Sequence, residues 1–173
     1  MNNNGARGGW VSPIYGQAKK VYKEIVKACK DVIVAHNGSD LIITFANDST
    51  IQFLSAERYD SIRGFSFNYL IIDEAAFVRR EALQEAILPT LTAIGKKCLI
   101  ISTPKGRGNW FYEYHLKGTS ENPDYVSFEG IAEITLMPIK SLFWNKPSPY
   151  LPISTNRSMK LSLWMEVMMY LLT

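Results

Sequence analysis

An apolar run that ends on two adjacent carboxylates, Tyr69-Leu70-Ile71-Ile72-Asp73-Glu74, followed by Ala75-Ala76-Phe77, is the stretch best suited to chemistry. An aspartate at the C-terminal tip of a buried strand is placed to coordinate Mg²⁺, directly or through its waters. The glutamate after it is placed to polarise a water that attacks a γ-phosphate. That is a Walker B reading. The same residues also fit a plain strand leading into a helix whose N-terminus carries acids, an arrangement the helix dipole favours.

The elements that must position these acids can be read around them. After a helical segment expected over residues 80–94, a second apolar strand, Lys97-Cys98-Leu99-Ile100-Ile101, runs into Ser102-Thr103-Pro104 and then Lys105-Gly106-Arg107-Gly108. Two parallel strands joined by a helix bring both C-terminal tips to one sheet edge, where open α/β folds bind ligands. Ser102 and Thr103 are therefore expected beside Asp73 and Glu74, as hydroxyls that sense the γ-phosphate or its water. Pro104 would stop the strand and leave the loop able to move. The alternative is an ordinary strand-ending turn.

Taken in order, these motifs and their surroundings resemble the ATPase domain of the large terminase subunit, the motor that packages DNA into tailed bacteriophage heads. The resemblance runs over residues 9–128. It rests on Trp10-Val11-Ser12-Pro13 with Tyr15-Gly16-Gln17-Ala18-Lys19-Lys20, on Ser55-Ala56-Glu57 and Ile62-Arg63-Gly64, on Ile72-Asp73-Glu74-Ala75-Ala76-Phe77, and on Ser102-Thr103-Pro104 with Gly106 and Gly108. It implies an α/β fold of the P-loop NTPase, RecA/ASCE-like class: a mostly parallel sheet flanked by helices, here incomplete and with an antiparallel add-on. By the same resemblance Asp73 is the metal ligand, Glu74 the catalytic carboxylate, and Ser102 and Thr103 the nucleotide-side element that couples hydrolysis to DNA movement. Arg63 matches an arginine that reaches into a neighbouring subunit's site, and such a finger raises phosphoryl transfer by roughly 10³ to 10⁵. The cofactors implied are ATP and Mg²⁺. The partners implied are double-stranded DNA, the portal protein, the small terminase subunit and other copies in a ring, in the cytoplasm of an infected bacterium and with no membrane.

No G-x-x-x-x-G-K-[ST] occurs in the chain, and Gly5, Gly8 and Gly9 are followed by no Lys-Ser or Lys-Thr. That loop supplies the backbone N–H groups and the lysine that hold the β- and γ-phosphates. In the family it precedes the strand near Trp10, so the polypeptide is expected to start after it and to hydrolyse no ATP on its own. A superfamily 2 helicase-like ATPase is the second reading, since such proteins also carry an Asp-Glu box followed by a Ser/Thr motif. A fragment that only misfolds or binds assembly partners is a third.

Residues 129–173 differ in character, with no Asp, one Gly, and five of the six methionines. Where the third codon base is fixed, the frame displaced by two bases can be read: Met159-Lys160, Trp164-Met165, Met165-Glu166, Met168-Met169 and Met169-Tyr170 give Glu, Asp, Gly, Asp and Val. With permitted wobble that frame reads like the acidic continuation of a terminase. The expectation is a partial ATPase domain over residues 1–128 and a frameshifted tail over residues 129–173. The alternative is a genuine C-terminal helix rich in Leu, Trp and Met, too short to span a bilayer.

Composition agrees with a single globular domain: 47% apolar and 20% charged residues, with a formal net charge of +3. Residues 15–30 read as a helix whose apolar stripe is Val21, Tyr22, Ile25, Val26 and Cys29. Lys19, Lys20, Lys23, Lys27 and Lys30 largely share its other face and are read as conferring solubility rather than DNA binding. Cys29 and Cys98 read as core thiols, and His36 and His115 have no metal-ligand spacing. Asn37-Gly38 signals a hairpin between strands at 32–35 and 41–45, with a further strand at 51–54. These three short strands are expected as the antiparallel add-on. Trp110-Phe111-Tyr112 is read as packing a helix onto the sheet.

Overall fold

The computed structural model describes residues 4–127. The expected frameshifted tail therefore lies outside the described residues. A six-stranded sheet organises them, in the order β2-β3-β4-β1-β5-β6. The strands are β1 (Arg7–Ser12), β2 (Ile33–Asn37), β3 (Ile42–Phe45), β4 (Thr50–Ser55), β5 (Tyr69–Ile72) and β6 (Lys97–Ile100). β4, β1, β5 and β6 are mutually parallel, with Trp10 opposite both Phe53 and Ile71, and Ile72 opposite Ile100.

All four residues of β5 are buried, as a central parallel strand covered on both faces requires. Tyr69 and Ile71 join Trp10, Phe53 and Leu99 in one apolar cluster, covered by Ala18, Tyr22 and Ile25 of α1 (Tyr15–Ala28). Leu70 and Ile72 join Val11, Leu83, Ile87, Trp110 and Phe111 on the other face. The result is a three-layer α/β sandwich, and the period-2 alternation of β5 separates its two cores.

The add-on is smaller than expected. The β2–β3 and β3–β4 pairs are antiparallel, whereas β4 is parallel to β1 and belongs to the main sheet direction. The polar turn Asn47-Asp48-Ser49 reverses the chain after β3, so β4 points back along β1 and its buried Ile51 and Phe53 enter the first core. The hairpin is closed by a side chain: Asn37 Oδ1 accepts from Ser39 N at 2.8 Å and Asp40 N at 3.2 Å. Leu41 takes the left-handed conformation at φ 53°, which is why β3 starts one residue later than its apolar pattern suggests.

The helical segment after β5 is also not a regular helix. α2 (Arg80–Ala82) passes into a π turn (Leu83–Ile87) and a 3-10 turn (Leu88–Leu91). Pro89 has no N–H and its ring crowds the carbonyl four residues back, so the turn before it widens and the turn after it tightens. Phe67 N then donates to Thr90 O at 2.9 Å, tying the end of this segment to the entry of β5.

Candidate functional site

Four parallel strands end on one rim, and the site is built there. Asp73 N donates to Val11 O at 2.8 Å, extending the β1–β5 ladder one residue and carrying Asp73 to the rim with 5% of its surface exposed. Glu74 follows at φ 49°, ψ 44°. A left-handed glutamate is strained and persists only where its surroundings enforce it; such residues cluster at functional sites. Asp73 Oδ1 accepts from Glu74 N at 3.0 Å, which helps to hold the turn, and Glu74 Oε2 is buried.

The reversal at Glu74 sends the chain back over the tip of β6. Ala75 N donates to Ile101 O at 2.9 Å, and Ala76 N donates to Ser102 Oγ at 3.1 Å. The two carboxylates and the hydroxyl turn are thus joined through the main chain. Ser102 is fully buried and donates in turn to Thr103 O at 3.0 Å, so its hydroxyl serves the Asp73-Glu74 turn directly, while Thr103 lies exposed on the rim.

Asn109 shapes the loop between the hydroxyl turn and α3 (Trp110–Thr119). Its Nδ2 donates to Lys105 O at 2.8 Å and Gly106 O at 3.1 Å, and its Oδ1 accepts from Tyr112 N at 3.1 Å as the helix cap. Gly106 takes φ 72°, open to glycine without cost. α3 grips the carboxylate turn from outside: Trp110 Nε1 donates to Val78 O at 2.7 Å, and Arg80 pairs with Glu113. That pair lowers the Glu113 carboxyl pKa and raises that of Arg80, chiefly through their hydrogen bond. Lys105 Nζ stands 4.3 Å from the centre of the exposed Phe77 ring, bridging the loop to the same turn.

Arg63 is set on another segment, just after the 3-10 stretch Ala56–Ile62 that leaves β4. Its Nε is 3.1 Å from Asp60 Oδ1 and its Nη2 3.1 Å from Glu85 Oε2, with all three side chains at least half exposed. Ser55 and Glu57 form a brace: Ser55 Oγ accepts from Glu57 N at 3.2 Å, and Glu57 Oε2 accepts from Tyr15 N at 2.9 Å at the start of α1. The structure therefore brings Asp73, Glu74 and Ser102 together, and gives Arg63 other partners. Asn109 and the indole N–H of Trp110 were not singled out from sequence, although an Asn before an apolar helical run is a cap signal.

Among the described residues no cluster of three or more His, Cys, Asp or Glu occurs. A cation here would be held by one carboxylate, with hydroxyls close by. That donor set is all oxygen and fits Mg²⁺, which keeps several waters and takes its remaining ligands from substrate phosphates.

The family described as "Terminase large subunit, T4likevirus-type, N-terminal" matches residues 4–156. The large terminase subunit of Escherichia phage T5 is 40% identical over 97 residues, covering 54% of this chain and 22% of that protein. The chain thus spans less than a quarter of that relative's length. The large terminase ATPase domain of Thermus phage P74-26 superposes with a TM-score of 0.59 at 26% identity, over 96% of this chain and 69% of that one. The large terminase of a thermophilic bacteriophage, solved in complex with ATP-gamma-S, shares the fold at 18% identity with a TM-score of 0.59, over 80% of this chain and 35% of that one.

Proposed function

We infer that this chain, which belongs to the N-terminal, T4-like-virus-type family of terminase large subunits, carries the water-activating half of an ATP-driven DNA-packaging motor. Its P-loop NTPase fold is that of the phage large terminase ATPase domains it matches. Those matches are to terminases, and the helicase-like alternative is not favoured.

The observation that carries the reading is the join between Asp73-Glu74 and Ser102 at one rim, through Ala75 and Ala76. Asp73 would hold Mg²⁺, which when bound neutralises charge between the β- and γ-phosphates of ATP. Glu74, fixed in its strained turn, would accept hydrogen bonds from the attacking water and orient it toward the γ-phosphate. Thr103, exposed beside them, would meet the phosphate, and Ser102 would report its position to the Glu74 turn through Ala76. Arg63 would act in a neighbouring copy's site. Exposed ion pairs are worth only ~0–1 kcal/mol, so exchanging Asp60 and Glu85 for a phosphate costs Arg63 little.

Double-stranded DNA, the portal protein, the small terminase subunit and further copies in a ring are the partners of this reading, and the infected cell's cytoplasm its place. No helix among the described residues is long and apolar enough to cross a membrane. For residues 129–173 the reading is translation from a shifted frame; sequencing the coding DNA tests it, and codons incompatible with the displaced frame would end it.

These 173 residues contain no G-x-x-x-x-G-K-[ST], the loop that cradles the β- and γ-phosphates. The purified chain is expected to hydrolyse Mg·ATP no faster than buffer. Turnover at an ordinary motor rate, lost in Glu74→Ala, would refute this.

A further inference from the structure

We propose that the outer face of α1 is a track for the phosphate backbone of double-stranded DNA. The proposal rests on the packaging reading and adds to it the surface on which the duplex lies.

Lys19, Lys20, Lys23 and Lys27 fall within about 100° of arc on the helix, at 3.6 residues per turn. Lys19, Lys23 and Lys27 make one row about 12 Å long, with steps of about 6 Å. Lys30 continues beyond the helix end, and all five side chains are exposed. The opposite face buries Ala18, Tyr22 and Ile25 in the first core, so the row is fixed outward.

What marks this row is the charge balance of the segment that carries it. α1 contains one acid, Glu24, and none in its first turn. The net charge of the whole chain is +3, and the segment from Lys19 to Asp31 holds five lysines against the two acids Glu24 and Asp31. The rest of the chain is close to neutral, so the positive field of the molecule is concentrated on this helix.

The chemistry selects the ligand. The row carries no Arg, Asn or Gln to read base edges, and the one aromatic at its head, Tyr15, lies under Lys19, whose Nζ is 5.8 Å from the ring centre. Point charges at regular spacing bind a phosphate backbone without reading sequence, and let it slide. A cargo of any sequence needs that kind of contact.

The test is fluorescence anisotropy of a labelled 30-base-pair duplex with the 173-residue chain, without nucleotide, from 50 to 200 mM salt. Three to four phosphate contacts predict a slope of log K against log salt of about −3 to −4. Lys19→Gln, Lys23→Gln and Lys27→Gln together should flatten the slope by about 3 and weaken binding at least tenfold. Removing the same charge elsewhere, at Arg7, Lys96 and Lys117, should leave the slope unchanged. Each substitution is at an exposed side chain, and circular dichroism verifies that both variants fold. Equal binding by the two triple variants, no binding at 50 mM salt, or equally good competition by polyglutamate would each overturn the proposal. Because no nucleotide is used, failure here leaves the assignment of Asp73 and Glu74 standing.

Discussion

Ser102→Ala isolates the contact that joins the two halves of the site. The substitution keeps Cβ and removes one oxygen, which accepts from Ala76 N at 3.1 Å and donates to Thr103 O at 3.0 Å. The two losses differ in cost. Thr103 is exposed and its carbonyl recovers a hydrogen bond from water. Ala76 is 9% exposed, so its N–H is left buried without an acceptor, at about 1–3 kcal/mol. The expected destabilisation is about 1–2 kcal/mol, which lowers Tm by about 2–4 °C per kcal/mol in a chain of this size. Urea unfolding followed by tryptophan fluorescence measures it, with an unchanged m-value. Hydrogen exchange at the Ala76 amide should speed up about tenfold or more, since 1.4 kcal/mol is a factor of ten. Thr103→Ala, at the exposed neighbour, should stay within about 0.5 kcal/mol of the parent. A Ser102→Ala chain as stable as the parent, with a slow Ala76 amide, would show that the hydroxyl does not support the Glu74 turn.

Other perturbations probe the same framework from further out. Trp110→Phe should cost about 2 kcal/mol in urea unfolding, because Val78 O loses its buried donor at 2.7 Å. Gly9→Ala should cost about 1–3 kcal/mol, since a Cβ there would come within 2.7 Å of the Phe67 ring inside the second core. Burial pushes the Cys98 thiol up to about 12 from 9.0. Its folded pKa therefore lies above its unfolded one, and it lowers stability as pH rises past about 9, by at most about 1.4 kcal/mol per unit. Cys98→Ala should flatten the alkaline side of a stability-against-pH curve, and iodoacetamide at pH 8 should label the half-buried Cys98 more slowly in the folded chain than after unfolding.

The sheet edge and the pairing of Asp73 with the Ser102 turn were legible because they follow from apolar strand patterns and the parallel topology a helical connection imposes. Helix α1 was legible for the same reason, its apolar stripe being the face found against the sheet. The direction of β4 was not, since a short strand carries no mark of whether its neighbour runs with it or against it; β1 settles that from far along the chain. The uneven helical segment before β6 is signalled only by Pro89. The orientation of the Ser102 hydroxyl depended on the left-handed turn at Glu74, a conformation a glutamate's sequence context does not announce. The five lysines read as a solubility face because a charged helix face in sequence does not show how its positive charge stands against the rest of the folded surface.

The central claim is that Asp73 and Glu74 do their work once phosphates are held above this rim. Supplying a relative's G-x-x-x-x-G-K-[ST] strand, loop and helix ahead of residue 1 and measuring Mg²⁺-dependent phosphate release tests it directly. Hydrolysis should appear, fall about 10²- to 10⁴-fold in Glu74→Ala as general-base assistance is lost, and need more Mg²⁺ to reach half its maximal rate in Asp73→Asn. Hydrolysis by the joined protein that neither substitution changes would contradict the account.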